Sequence, residues 1–131
     1  MENRRILVDT SILIEFLRKH KKQDSKLWNT KEHYDIVCIS SVTVFEIFLG
    51  AKSDRHRSES VRLIGTLEVM DFGMSEAISA AQILQELKTK NKVIEFRDVM
   101  IAAQALVAGI PLSTINRSHF ERIDKLELVS D

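Results

Sequence analysis

Two short runs without polar alternation set the frame for this chain: Ile6-Leu7-Val8 and Ile36-Val37-Cys38-Ile39. A strand with one face in water alternates apolar and polar residues. A run that does not alternate belongs in a sheet covered on both faces, the usual condition of parallel strands. Both runs are followed by residues that can cap a helix, Thr10-Ser11 and Ser40-Ser41. Helical patterns follow: Ile12, Leu13, Phe16 and Leu17 after the first, Val42 to Ala51 after the second. Further along, Val69 to Phe72 and Pro111 to Thr114 read as strands, and Leu126 to Val129 as a last one. Asp54 to about Glu68, Ser75 to Lys90 and Asp98 to Ala108 read as helices, the last with Gly109 as its stop. Strands alternating with helices predict an α/β domain, with a central parallel sheet of about four to five short strands flanked by helices. One domain covers 1–131, since one proline and four glycines leave no visible linker and a 44% hydrophobic content suffices for one core.

In such sheets ligands sit outside the carboxyl ends of the strands. Three acids interrupt apolar patterns there or beside them. Asp9 ends the first strand. Glu46 lies inside Val42-Thr43-Val44-Phe45-Glu46-Ile47-Phe48-Leu49, a helix apolar nearly all round, which predicts little solvent face for it. Asp98 opens a helix and shares a stripe with Ile101, Ala102 and Ala105. A buried carboxylate is costly unless paired or bound to a metal. One such acid is as readily a structural ion pair. Three of them, each near a strand end or helix start, point to a shared site. Carboxylates with no accompanying cysteine or histidine ligands suit Mg²⁺, with Mn²⁺ as a substitute.

Four segments then carry a resemblance. Leu7-Val8-Asp9-Thr10-Ser11, Ile39-Ser40-Ser41-Val42-Thr43-Val44-Phe45-Glu46, Asp98-Val99-Met100-Ile101-Ala102-Ala103 and Ser113-Thr114-Ile115-Asn116-Arg117-Ser118-His119-Phe120-Glu121-Arg122-Ile123 together resemble PIN domains. More narrowly they look like the toxin ribonucleases of VapBC toxin–antitoxin pairs, collinearly over nearly the whole chain. The resemblance implies an Mg²⁺- or Mn²⁺-dependent endoribonuclease, with Asp9, Glu46 and Asp98 as metal-binding catalytic acids. Many relatives carry a fourth acid where this chain has Asn116, whose amide oxygen could still hold a water. Thr10, Ser11 and Thr114 fall beside the acids as supporting residues, although Thr10 and Ser11 serve equally as helix caps. The resemblance further implies an RNA substrate such as tRNA, products with a 5′-phosphate and a 3′-hydroxyl, a homodimer, and a VapB-like antitoxin occupying the active-site groove. No histidine or lysine is placed as a dedicated base, so activation of water falls to the metal in this reading.

Charge and composition leave rivals open. The balance of 19 basic and 19 acidic residues argues weakly against a pure nucleic-acid binder, but acidic ligands in a nuclease subtract from its basic residues. The single cysteine, Cys38, allows no disulfide within the chain and reads as a small buried hydrophobe, so a reducing, cytoplasmic setting is expected. No apolar run approaches the roughly 18 residues of a membrane span, and the N-terminus lacks a signal-peptide pattern. Glu95, a turn before Asp98, reads as an acid favouring the helix N-terminus before a fourth carboxylate near the metal, and His119 as a phosphate contact or a structural histidine before a metal ligand. His20, His33 and His56 lack ligand spacing. Arg18 to Lys22, and Lys52 with Arg55 to Arg57, read as solvated faces. Trp28 and Tyr34 show no stacking pattern, and Phe16, Phe45 and Phe48 are core or dimer-interface candidates. A phosphotransferase of the haloacid dehalogenase type would want an acid at position 11, where this chain has Ser11. A non-catalytic α/β interaction module, its acids held in salt bridges, is the alternative.

Overall fold

The computed structural model describes residues 4–129. Its elements follow the expected alternation: β1 (Arg5–Val8), α1 (Thr10–Arg18), α2 (Lys26–His33), β2 (Ile36–Ser40), α3 (Ser41–Gly50), α4 (Asp54–Ile64), β3 (Glu68–Met70), α5 (Met74–Thr89), α6 (Phe96–Ala108), β4 (Leu112–Ser113) and α7 (Arg117–Phe120). The strands form one sheet in the order β3-β2-β1-β4, parallel throughout, with Leu7 registered against both Cys38 and Leu112.

The missing alternation in β1 and β2 has a direct cause. Ile6, Val8, Val37 and Ile39 face a core shared with Ile12 and Leu13 of α1 and Ile47 of α3. Leu7, Cys38 and Leu112 face the opposite core, with Ile83 of α5, Ile101 of α6 and Phe120 of α7. Both faces of the sheet are dry, so both sets of side chains are apolar. Gly109 ends α6 in the left-handed region, at φ 68°, and Ile110 N–H closes on the Ala105 carbonyl at 3.1 Å. That turn aims the chain into β4.

β1 is where the strand order reverses. β2 and β3 lie to one side of it and β4 to the other. The crevice between the carboxyl ends of β1 and β4 is therefore the topological switch point, where open α/β sheets bind ligands. Asp9 follows β1 and Thr114 follows β4, and Asp9 N–H donates to the Ser113 carbonyl at 3.1 Å.

Two expectations need correction, and one helix is unannounced by the sequence. Leu126 to Val129 makes one isolated bridge, Leu112 to Leu128, rather than a strand, because β4 is only two residues long and offers its neighbour little edge. Helix α2 is not visible in the hydrophobic pattern, since only Leu27 and Thr30 of its eight residues are buried and Ser25 caps it. Helix α3 is not enclosed all round. Only Thr43 and Ile47 are buried in it, while Phe45 and Leu49 are 58% and 63% exposed. The sheet, α1, α4 and α6 cover its inner sides, and its outer side stays open in the single chain.

Candidate active site

Asp9 is the deepest polar group of the switch point, 1% exposed. It caps α1, and its Oδ1 accepts from Ile12 N–H at 3.3 Å and from Ser11 Oγ at 2.5 Å. Its Oδ2 accepts from Thr114 Oγ1 at 2.5 Å. Each hydroxyl has one proton to give, and both have given it to Asp9. The 3.5 Å approach of Ser11 Oγ to Thr114 Oγ1 is therefore a contact between two acceptors. Their lone pairs take backbone donors instead: Ile115 N–H to Ser11 Oγ at 3.1 Å and Asn116 N–H to Thr114 Oγ1 at 2.9 Å. Ser11 and Thr114 thus tie the loop after β4 to the acid after β1. None of the three hydrogen bonds to Asp9 comes from a charged group. Burial outweighs them and pushes its carboxyl from 3.8 up to about 6, with the nearby charge of Asp98 adding to the rise.

Glu46 sits higher in the crevice, with 23% of its side chain exposed. Thr10 Oγ1 donates to its Oε1 at 2.8 Å, and Thr43 lies 3.0 Å behind Thr10. Since Thr10 has spent its proton on Glu46, Thr43 donates to Thr10, and a two-hydroxyl relay from α3 through α1 orients the carboxylate. On its other side, Arg97 Nη1 approaches Glu46 Oε2 to 3.9 Å.

Asp98 lies in the first turn of α6, half-buried, with its Oδ2 3.5 Å from His119 Nδ1. Burial raises its carboxyl above the ordinary range and Glu95 adds to the rise, while His119 and Arg97 oppose it. Glu95 is the N-cap of α6, accepting from Arg97 N–H at 2.9 Å, as an acid at a helix start should. Asn116 precedes α7 at the mouth of the site, exposed, and among the described residues its side chain makes no hydrogen bond.

The fold brings Asp9, Thr10, Ser11, Glu46, Asp98, Thr114 and Asn116 to one end of the sheet. Among the described residues, no three His, Cys, Asp or Glu side chains converge closely enough to hold a metal ion as they stand. Glu46 leans on Arg97 and Asp98 on His119, whereas Asp9 has no cationic partner among the described residues. The donors within reach are almost all oxygens, and the most buried carries an unbalanced negative charge. Such a set fits a hard divalent cation. Thr43 and Arg97 were not singled out by the sequence. Thr43 could have been, as the hydroxyl three residues before Glu46 in an apolar helix.

The two basic runs read as solvated faces also meet an unexpected neighbour. Arg18, Lys19 and Lys22 line a groove of about 710 Å³ together with Lys31, Arg55, Glu59 and Arg62. Trp28, 41% exposed, lies along its wall.

The PIN domain family matches residues 6–126. A ribonuclease VapC of Rickettsia bellii is 30% identical over 95% of this chain and 95% of its own length. The chain belongs to the VapC family of PIN domains. The tRNA(fMet)-specific endonuclease VapC of Salmonella typhimurium is likewise 30% identical to this PIN domain, over 95% of it and 96% of the relative. Among solved structures, the DNA-bound VapBC of Salmonella typhimurium superposes with a TM-score of 0.85 at 30% identity, covering 96% of this chain and 97% of that one. VapBC2 of Rickettsia felis, bound to a DNA fragment from its promoter, gives 0.86 at 25% identity over 95% and 97%. The VapC fold thus accounts for nearly all of the chain, the ends of β1 and β4 that carry Asp9 and Thr114 included.

Proposed function

We propose that this chain is a divalent-metal-dependent endoribonuclease and the toxin of a toxin–antitoxin pair. The observation that carries the reading is Asp9, a buried carboxylate at the topological switch point with only neutral donors and a second acid close enough to raise its pKa. Asp9, Asp98 and Glu46 would hold Mg²⁺ or Mn²⁺, which supplies charge neutralisation at the phosphate and a more acidic water. The chain's own part is orientation. Ser11 and Thr114 fix both oxygens of Asp9, Thr10 and Thr43 fix Glu46, and His119 stands 3.5 Å from one oxygen of Asp98. Asn116, exposed at the mouth, is free to accept or donate toward a water or the RNA.

The names of the relatives support RNA as the substrate, tRNA among its forms, and the VapBC assemblies support a VapB-like antitoxin as partner. A homodimer is supported by the open side of α3. A cytoplasmic setting agrees with the buried free thiol of Cys38 and with the lack, among the described residues, of a helix long and apolar enough to cross a membrane.

The pairs Glu46–Arg97 and Asp98–His119 favour the second reading, an interaction module with structural salt bridges. Both pairs are partly exposed and longer than a hydrogen bond should be, so they contribute little to stability. One experiment separates the readings. The purified protein is incubated with total tRNA in Mg²⁺, in Mn²⁺ and in EDTA. The expected result is fragments with 5′-phosphate ends in either metal, and none in EDTA or from Asp9→Asn. Undiminished cleavage in EDTA overturns the metal requirement. Absence of cleavage on tRNA, rRNA and mRNA alike turns the reading to the interaction module.

A further inference from the structure

Among the described residues Arg97 is the guanidinium in ion-pair range of Glu46, and its approach to that acid does not suit a structural ion pair. Its Nε donates to Glu95 Oε1 at 3.2 Å, while its own backbone N–H donates to Glu95 Oε2 at 2.9 Å. One carboxylate therefore grips the residue at both ends and sets the direction of its side chain. That direction brings Nη1 within 3.9 Å of Glu46, a Coulombic approach too long for a hydrogen bond. Among the described residues, neither Nη1 nor Nη2 makes a hydrogen bond, and the side chain remains 35% exposed. A guanidinium carries five donors in a planar fork, and here the two terminal groups make no hydrogen bond, with the fork beside three acids and its Cζ 5.7 Å from the centroid of the Phe96 ring.

We propose that Arg97 is a phosphate-binding residue of this site, taking a phosphate of the RNA backbone on its Nη1–Nη2 edge, with Glu95 as its positioning residue. The inference rests on the ribonuclease reading above and adds a substrate contact to it. The charge balance gives the reason. Asp9, Glu46, Glu95 and Asp98 crowd one end of the sheet, and one divalent cation offsets only half of their formal charge. A polyanion approaching that end meets net repulsion unless a fixed cation also faces it. Arg97 is such a cation, in ion-pair range of both Glu46 and Glu95, and a bidentate guanidinium–phosphate contact is the arrangement its unbonded Nη1–Nη2 edge allows. Glu95, already satisfied by the helix N-terminus and by Nε, has no need of the terminal groups, so binding phosphate breaks none of its bonds.

The test compares wild type, Arg97→Gln and Arg97→Lys. Fluorescence anisotropy with end-labelled total tRNA in EDTA buffer gives affinity with cleavage off, across a salt series. Mn²⁺ affinity is measured on the same proteins by calorimetry, without RNA. Arg97→Gln should weaken tRNA binding about tenfold, the worth of a lost charge-assisted contact. The slope of log affinity against log salt should become shallower by about one, as for one lost phosphate contact. Mn²⁺ affinity should stay equal or rise, because a competing cation has left. Arg97→Lys, which keeps the charge, should recover part of the tRNA affinity. Unchanged tRNA affinity and slope in Arg97→Gln overturns the proposal. So does a loss of Mn²⁺ affinity in step with tRNA affinity, which would make Arg97 a structural support of the acids. A wild type that binds tRNA but cleaves no RNA strikes the ribonuclease reading, and the salt series still decides on Arg97.

Discussion

At the scale of single residues, the cost of keeping Asp9 ionised is the physical signature of the site. Its carboxyl is pushed from 3.8 up to about 6, mainly by burial, against the pull of the Ser11, Thr114 and Ile12 donors. A carboxylate whose folded pKa lies above its unfolded value costs stability above the folded pKa, and acidification through the interval between the two relieves that cost. A rise of this size corresponds to about 3 kcal/mol at neutral pH. Asp9→Asn removes the charge and keeps the shape. Its Oδ1 still accepts from Ser11 and Ile12, and its Nδ2 can donate to Thr114 Oγ1, which has a lone pair to spare. In metal-free buffer at pH 7 the variant should melt at or above wild type, with the gap closing as pH falls through 6 toward 3.8. Mn²⁺ should then raise the melting temperature of the wild type and leave the variant unmoved. A variant that melts well below wild type at every pH would mark Asp9 as a structural cap and nothing more. The three acids were legible in the sequence because each interrupts a pattern that should be apolar. Arg97 was not, because a basic residue in an exposed first turn is what solvent alone would permit.

Among the elements, legibility follows how much each one buries. Helix α6 was plain from its apolar stripe, and its end from Gly109. That glycine stands at φ 68° with nothing near the position a Cβ would take, so Gly109→Ala is penalised by backbone strain alone. The expected loss is about 1 kcal/mol in urea denaturation, with metal affinity unchanged. A neutral result would mean that the turn into β4 relaxes without the left-handed residue. Helix α2 escaped the sequence reading because it lies over the edge of one core and turns most of its surface outward. The periodicity that reveals a helix is a record of burial, and two buried residues leave too little of it. The segment after α7 failed in the opposite sense. Its apolar residues, Leu126 and Leu128, pack against the core from a chain that bridges β4 at only one point. Apolar alternation there reports packing, while a strand also needs an edge of sufficient length to pair with. Helix α3 was placed correctly and its environment was not, because a pattern apolar on every side reads the same whether the covering surface belongs to the chain or to another copy of it.

At the scale of the whole molecule, a formal net charge of zero conceals a separation of charge. Acids gather at the carboxyl end of the sheet, while six cations from α1, α2, α4 and the intervening loop, with Glu59 among them, line a separate groove that none of those acids reaches. The apolar surface is as unevenly placed. Phe45 and Leu49, one helical turn apart on α3, flank Glu46 in the sequence and are more exposed than covered. Phe96 is exposed at the start of α6, which packs against α3. Large apolar side chains grouped in this way mark an interaction surface more often than a free face. A second copy related by two-fold symmetry would cover the open side of α3 with the same side of its partner, since isologous contacts pair identical surfaces. It would also place the interface against Glu46, so that each acid site borders the seam. The wild type should therefore sediment as a dimer at micromolar concentration. A chain carrying Phe45→Ser and Leu49→Ser together should sediment as a monomer, with its circular dichroism preserved, because neither side chain supports the core. A wild type that is monomeric at that concentration removes the dimer from the proposed function. A double variant that stays dimeric places the interface elsewhere on the molecule, and the exposure of α3 must then be explained by the antitoxin.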